Sequence, residues 1–265
     1  MKRRSRFILS VLAFGYAFLY LPLASVIVYS FNDSRLATVW GGFSTRWYGE
    51  LLQNDQVLDS AFLSLRIALT VATLATIFGT MAGMALSRFG RFRGRTLFSG
   101  MITSPMVMPE VITGLSLLLL FVSLQQLVGW PAQRGFGTIT IAHTTFAMAY
   151  VAIIVQSRLS AMDESLEEAA MDLGGRPLRV VFDITLPLIA PAMIAGWLLA
   201  FTLSLDDLVI SSFVSGPGAS TLPMLIFSKV KLGVTPDINA LATLIILFVS
   251  SGVLIAWWVS RNRAQ

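Results

Sequence analysis

Two adjacent acids, Asp206 and Asp207, interrupt the apolar run "GWLLAFTLSLDDLVISSFVSGPG" beside Ser204 and Ser211, and Glu110 interrupts "SPMVMPEVITG". A carboxylate in a partly dry passage attracts an ammonium group strongly, because little water screens the pair. It also resists lipid: an aspartate at a helix centre costs about 2.5–3.5 kcal/mol on insertion scales, less towards the interface. All three acids are therefore expected to face protein or water. Neighbours on a helix point about 100° apart, which puts Asp206 and Asp207 on different faces. Ser204, Asp207 and Ser211 then form one polar stripe, and Thr202 with Asp206 another. Passage of a cation, with Asp207 towards the path and Asp206 paired to a neighbouring helix or the reverse, is one role for them. Helix-end capping, or an ion pair to a second chain, is the other.

The rest of the composition removes competing chemistries. The chain has one histidine, His143, and no cysteine. Any thiolate site is thereby excluded, and a histidine zinc site or a Ser-His triad is not expected. No GxxxxGK[ST] run is present, so ATP is not held here through a Walker-type loop. No cofactor and no enzymatic activity are expected in this chain. His143 and Trp197 are expected to be structural.

A second constellation is the polar stretch "SLEEAAMDLGGRPLRVVFDITLPLI", Ser165 to Ile189. Leu166, Ala169, Ala170 and Leu173 recur at i, i+3, i+4 and i+7, the spacing of one apolar helix face. Ser165 with Glu168 has the spacing of a capping box, with Asp163 as the alternative cap. Gly174 and Gly175 end this helix. Pro177 suits the first turn of a second one, on which Leu178, Val181, Phe182 and Thr185 repeat the pattern. The result is a hairpin of two short helices with no soluble domain of its own to pack against. It either orients the next span or meets another protein.

Membrane-length helices must position both constellations. The 265 residues are 55% hydrophobic and 12% charged, with a mean hydropathy of +0.76, values of a polytopic membrane protein. Crossing a hydrocarbon core of about 30 Å takes about 20 apolar residues, and windows near 7–31, 64–87, 97–123, 138–157, 188–213 and 238–260 qualify. The basic start "MKRRSR" resembles a signal-peptide n-region, but the apolar run behind it is long and lacks a small-x-small cleavage pattern, so it is expected to be a retained span. Lys2, Arg3, Arg4, Arg6, Arg88, Arg91, Arg93, Arg95, Arg158, Arg176, Arg179, Arg261 and Arg263 fall on one set of ends. That set is expected to be cytoplasmic, with both termini and the hairpin. The net charge of +5 is then a topology signal, and no nucleic-acid partner is expected. About 18 residues at 1.5 Å each put Asp206 and Asp207 roughly 27 Å from the inner start of the fifth span.

Gly79 and Gly83 form a GxxxG pair that lets another helix approach the second span. Pro105 and Pro109 should kink the third beside Glu110. The outer segment 32–63, with Trp40, Trp47 and Tyr48, has the character of an interfacial helix.

The spacing Glu168-Ala169-Ala170, three residues, Gly174, nine residues, Ile184, one residue, Leu186-Pro187 resembles the complete EAA loop of permease subunits in bacterial binding-protein-dependent ABC importers. The likeness extends over nearly the whole chain to the polyamine branch, and within it to the second permease subunit of putrescine importers. It is carried by "FSTRWYGELL", "MVMPEVITGLSLLLLF", "EEAAMDLG", "GWLLAFTLSLDDLVISSFVSGPG" and "INALATL". The resemblance implies an all-α type I importer fold of six spans in a single transmembrane domain, 1–265, with residues 158–187 as its coupling loop. It implies an inner-membrane subunit paired with a related permease, a cytoplasmic ATPase dimer that carries ATP and Mg, and a periplasmic polyamine-binding protein. An ion-gradient carrier using Asp206, Asp207 and Glu110 is the rival, disfavoured by the full EAA spacing and by the lack of an inverted repeat. An intramembrane enzyme is a second rival, disfavoured by the single histidine.

Overall fold

Apolar residues of the expected spans fold into helices because lipid leaves a backbone no other partner. A computed structural model describes residues 3–35, 39–233 and 236–263, with side chains except at 3–6, 248 and 252–263. The helices are α1 (Arg3–Tyr29), α2 (Arg46–Leu52), α3 (Asp55–Arg88), α4 (Arg95–Val107), α5 (Glu110–Val128), α6 (Phe136–Ser160), α7 (Ser165–Asp172), α8 (Pro177–Val180), α9 (Leu186–Leu205), α10 (Val209–Val214), α11 (Leu222–Leu232) and α12 (Pro236–Arg263). Among the described residues, five are long and apolar enough to cross a membrane: Phe7–Tyr29, Asp55–Arg88, Glu110–Val128, Phe136–Ser160 and Pro177–Leu205. The sixth expected window falls on α12, much of whose side-chain detail lies outside the described residues. So do the side chains of the basic residues counted at the two termini.

Two compact units are present, one of residues 59–224 and one formed by the described parts of 1–58 and 225–265. In the first, α6 is the hub, packing against α4, α9 and α10. Its Ile139, Val151, Val155 and Leu159 are buried with Ile67, Val71 and Ala75 of α3, Ile189 and Ala200 of α9, and Ile210 and Val214 of α10. The GxxxG pair serves this core. A Cβ at Gly79 would lie 2.8 Å from the Met148 carbonyl oxygen, and one at Gly83 would lie 2.9 Å from that of Ala152. Only glycine permits this closeness of α3 and α6.

In the second unit, α12 packs against α1 and α2. The helical part of the expected segment 32–63 is the short α2 and the first turns of α3, preceded by a hydrogen-bonded turn. Asn32 donates to the Val39 carbonyl and accepts from Gly41 N–H at 2.8 Å. The buried Trp47 indole donates to the Asn32 carbonyl at 2.6 Å, with the Arg46 guanidinium over its ring.

Two expected helices are broken rather than kinked or continuous. The third stops at Val107 and restarts at Glu110. Met108 is extended, at φ −75° and ψ 136°, because the ring of Pro109 excludes the helical region for the residue before it. The fifth stops at Leu205 and restarts at Val209, with Asp206 and Asp207 in the gap. The two-face argument assumed one uninterrupted helix there.

Candidate functional site

At the break in the fifth helix, Asp207 folds back onto the helix that follows it. Its carboxylate accepts the backbone N–H of Ile210 at 3.3 Å and of Ser211 at 2.7 Å. This is the work of an N-cap, satisfying donors that the first helical turn cannot satisfy itself. A carboxylate offering such bonds competes with the i→i−4 ladder, which is the local reason the fifth helix opens at this point. The same carboxylate meets His143 Nε2 at 3.1 Å, where Ser211 Oγ also stands at 3.1 Å. Across the ring, Nδ1 meets Ser204 Oγ at 2.8 Å. A ring with its proton on Nε2 satisfies the set: Nε2–H donates to the carboxylate, and Nδ1 accepts the Ser204 hydroxyl. His143, Ser204 and Ser211 are buried, and the Asp207 side chain is only 10% exposed. The polar stripe Ser204, Asp207, Ser211 thus converges, on a histidine that sequence reasoning treated only as structural filler. One backbone tie reinforces it: Thr138 Oγ1 donates to the Val214 carbonyl at 2.8 Å, joining the start of α6 to the end of α10.

Asp206 and Glu110 are differently placed. Both are exposed, and among the described residues neither carboxylate has a side-chain partner. Glu110 opens α5, where its charge also suits the helix start. Trp197 stacks on Phe201, with ring centroids 5.5 Å apart, and its indole donates to Thr73. It packs as expected.

The hairpin takes shape with one difference from its sequence reading. Of the two caps offered, Asp163 is the one that acts at the start of α7: its carboxylate accepts the Ser165 backbone N–H at 3.0 Å, and this bond holds its pKa below the usual carboxylate value. The Ser165–Glu168 box does not form: α7 begins at Ser165, and its N-cap position, Glu164, makes no side-chain cap bond. Gly174 then turns the chain at φ +89°, a left-handed angle that suits glycine. Pro177 begins α8, but α8 is not a separate short helix. It runs through a π turn, Val181–Thr185, directly into α9, so the second arm of the hairpin is the inner end of a spanning helix.

Much of the apolar face of the hairpin is uncovered among the described residues. Leu173 is 91% exposed, Leu178 74% and Phe182 65%. Glu168, Ala169, Gly174 and Pro187 are exposed as well, whereas Ala170, Ile184 and Leu186 are half-buried at its base. Behind it, Arg88 at the end of α3 meets Glu164 at 2.9 Å and Glu167 at 2.8 Å. Thr185 in the π turn donates to the other oxygen of Glu167 at 2.8 Å. Sequence reading counted Arg88 only as a topology charge. Its contact partners lie 76 and 79 positions away, beyond the reach of periodicity.

Comparison with known proteins agrees with these observations. Residues 75–262 match the family described as binding-protein-dependent transport system inner membrane component. The putrescine transport system permease protein PotI of Escherichia coli strain K12 is 61% identical over 262 residues, covering 99% of this chain and 93% of that protein. The spermidine/putrescine transport system permease protein PotC of the same strain is 43% identical over 250 residues, covering 94% and 92%. A bacterial ABC transporter involved in the import of the acidic polysaccharide alginate has the same fold, with a TM-score of 0.73 at 17% identity over 98% of both chains.

Proposed function

From the premise that this chain belongs to the family of binding-protein-dependent transport system inner membrane components, we propose that it is the permease subunit of an ATP-driven putrescine importer. It is a transporter subunit and not an enzyme. Its 61% identity to a putrescine permease, against 43% to a spermidine/putrescine permease, supports putrescine as the substrate. In this reading the chain lies in the inner membrane with both termini cytoplasmic. It pairs with a related permease, receives substrate from a periplasmic polyamine-binding protein, and meets an ATPase dimer that holds ATP and Mg.

The observation that carries the reading is the uncovered hairpin, which joins the complete EAA spacing to exposed Leu173, Leu178 and Phe182. Leu173 lies outside the apolar helix Pro177–Leu205, and a large side chain so exposed there needs a protein to bury it. The ATPase is that protein: Glu168, Ala169, Ala170 and Gly174 present the surface, and Ile184, Leu186 and Pro187 join it to α9. Nucleotide-driven closure of the ATPase dimer displaces the hairpin, and the continuous α8–α9 rod carries the displacement outward. Each ligand must favour one arrangement of the spans for this coupling to operate.

Along the path, Asp206 and Glu110 are the acids free to meet an ammonium group. Asp207, with Ser204 and Ser211, holds the shape of the outer end. The test is co-purification of the whole complex with Glu168→Lys or Gly174→Asp. Both variants are expected to insert, lose the ATPase and lose uptake; a retained ATPase with normal uptake would remove the hairpin from the docking role.

A further inference from the structure

Docking explains the exposed side of the hairpin but not its polar back. Arg88 and Glu167 are both nearly buried, with side-chain exposures of 14% and 13%. Surface ion pairs hold little, whereas a desolvated pair with good geometry resists separation. The Arg88 fork is divided: Nε serves Glu167 and Nη1 serves the exposed Glu164, while Nη2 is buried with no partner. Glu167 is divided in turn, one oxygen on Arg88 and the other on the buried hydroxyl of Thr185. One carboxylate on α7 therefore ties together the last residue of α3 and the π turn that leads into α9. α3 is in its own turn locked to α6 through Gly79 and Gly83.

Resting on the docking reading above, we propose that Arg88 is a positioning residue for coupling: the Arg88–Glu167–Thr185 clasp makes α3 move with the hairpin. The chain itself joins the hairpin to α6 on one side and to α9 on the other. Through the clasp the same displacement reaches α3 as well, which has no covalent link to the hairpin except through the helices between them. The EAA residues face the ATPase; Glu167, beside them in sequence, faces the membrane domain. Adjacent glutamates thus divide the work between an outer and an inner contact.

The test uses the intact complex of permease pair, ATPase dimer and binding protein in proteoliposomes, with putrescine uptake and ATP hydrolysis measured together. In Arg88→Ala and in the volume-preserving Glu167→Gln, the ATPase is expected to remain bound and to hydrolyse ATP. Uptake per ATP should fall at least about fivefold, the lower end of typical coupling factors. The charge-swapped pair Arg88→Glu with Glu167→Arg, made together with Glu164→Gln because Glu164 also meets position 88, should recover part of the ratio, which a lesion unrelated to this ion pair would not. An unchanged ratio in the single variants, or a swap with no recovery, overturns the clasp. Loss of the ATPase from the single variants also overturns it, because the pair would then only shape the docking surface. If the unmodified chain fails to hold the ATPase, the docking reading itself is lost, and that outcome is distinct from the others.

Discussion

Asp207 and Asp163 do the same local job at opposite ends of the 59–224 unit, each accepting backbone N–H groups at the start of a short helix. Their surroundings differ. Asp207 is closed in by His143, Ser204 and Ser211, whereas Asp163 stands in solvent beside a hairpin whose leucines are uncovered. Where the polar partners come from within the chain, an acid is committed to holding the fold. Where the neighbours lack cover, the surface is committed to another molecule. By this criterion the two acids of the outer pair separate, since Asp206 has no side-chain partner among the described residues and Asp207 has several.

The largest effect should come from attacking the closed end. Asp207→Ala leaves the Ile210 and Ser211 N–H groups without their carboxylate acceptor, at about 1–3 kcal/mol for each buried donor left unpaired, and leaves His143 Nε2 with Ser211 Oγ alone. The purified subunit should melt several degrees lower, and uptake should fall with the amount of folded protein. Asp207→Asn, which keeps an acceptor oxygen for the cap, should be milder. If Asp207→Ala kept its thermal stability and lost only affinity for putrescine, the division between closed and open acids would fail.

Asp206→Asn should behave in the opposite way. Melting should stay within experimental scatter, because no internal contact is lost, while half-saturating putrescine in uptake should rise on the order of tenfold, equivalent to about 1.4 kcal/mol of interaction. Glu110→Gln sharpens the comparison, since it is exposed like Asp206 but opens a helix. Its effect on uptake should be smaller if its charge serves the helix start as well as the cation.

The features legible in the sequence were those that repeat locally. Span length, the GxxxG approach, the Gly174 turn and the complete EAA spacing are all set by neighbours within a few turns, and among the described residues the structure has membrane-length helices at five of the six expected windows. The breaks were not legible. Pro109 announced a disturbance, but whether a helix bends or stops depends on what receives the freed groups. At Asp207 the interruption comes from a side chain that chose the backbone two and three residues beyond Leu208 over the continuing ladder. The convergence of His143 on Ser204 and Asp207, and of Arg88 on Glu167, joins residues more than 60 positions apart. A residue pair at that distance has no period to reveal it. His143, expected to be structural, and Arg88, counted as a topology charge, each have partners that only the fold brings to them.

The smallest effect belongs to the open cap. The Asp163 carboxyl is held below its ordinary pKa by the bond from Ser165, so the folded state favours the ionised form. Its contribution is therefore fully present above the unfolded value of about 3.9 and is lost as pH falls through the lower folded value. Protection of the Ser165 amide against hydrogen exchange should be constant from neutral pH down to about 4 and should decline below it, whereas Asp163→Asn should remove that dependence. Because the group is fully exposed, uptake at neutral pH should change little in this variant, in contrast to Asp207→Ala. A large loss of uptake from Asp163→Asn at neutral pH would mean that the solvent-facing cap touches the ATPase, extending the docking surface past Ser165 to the end of α6.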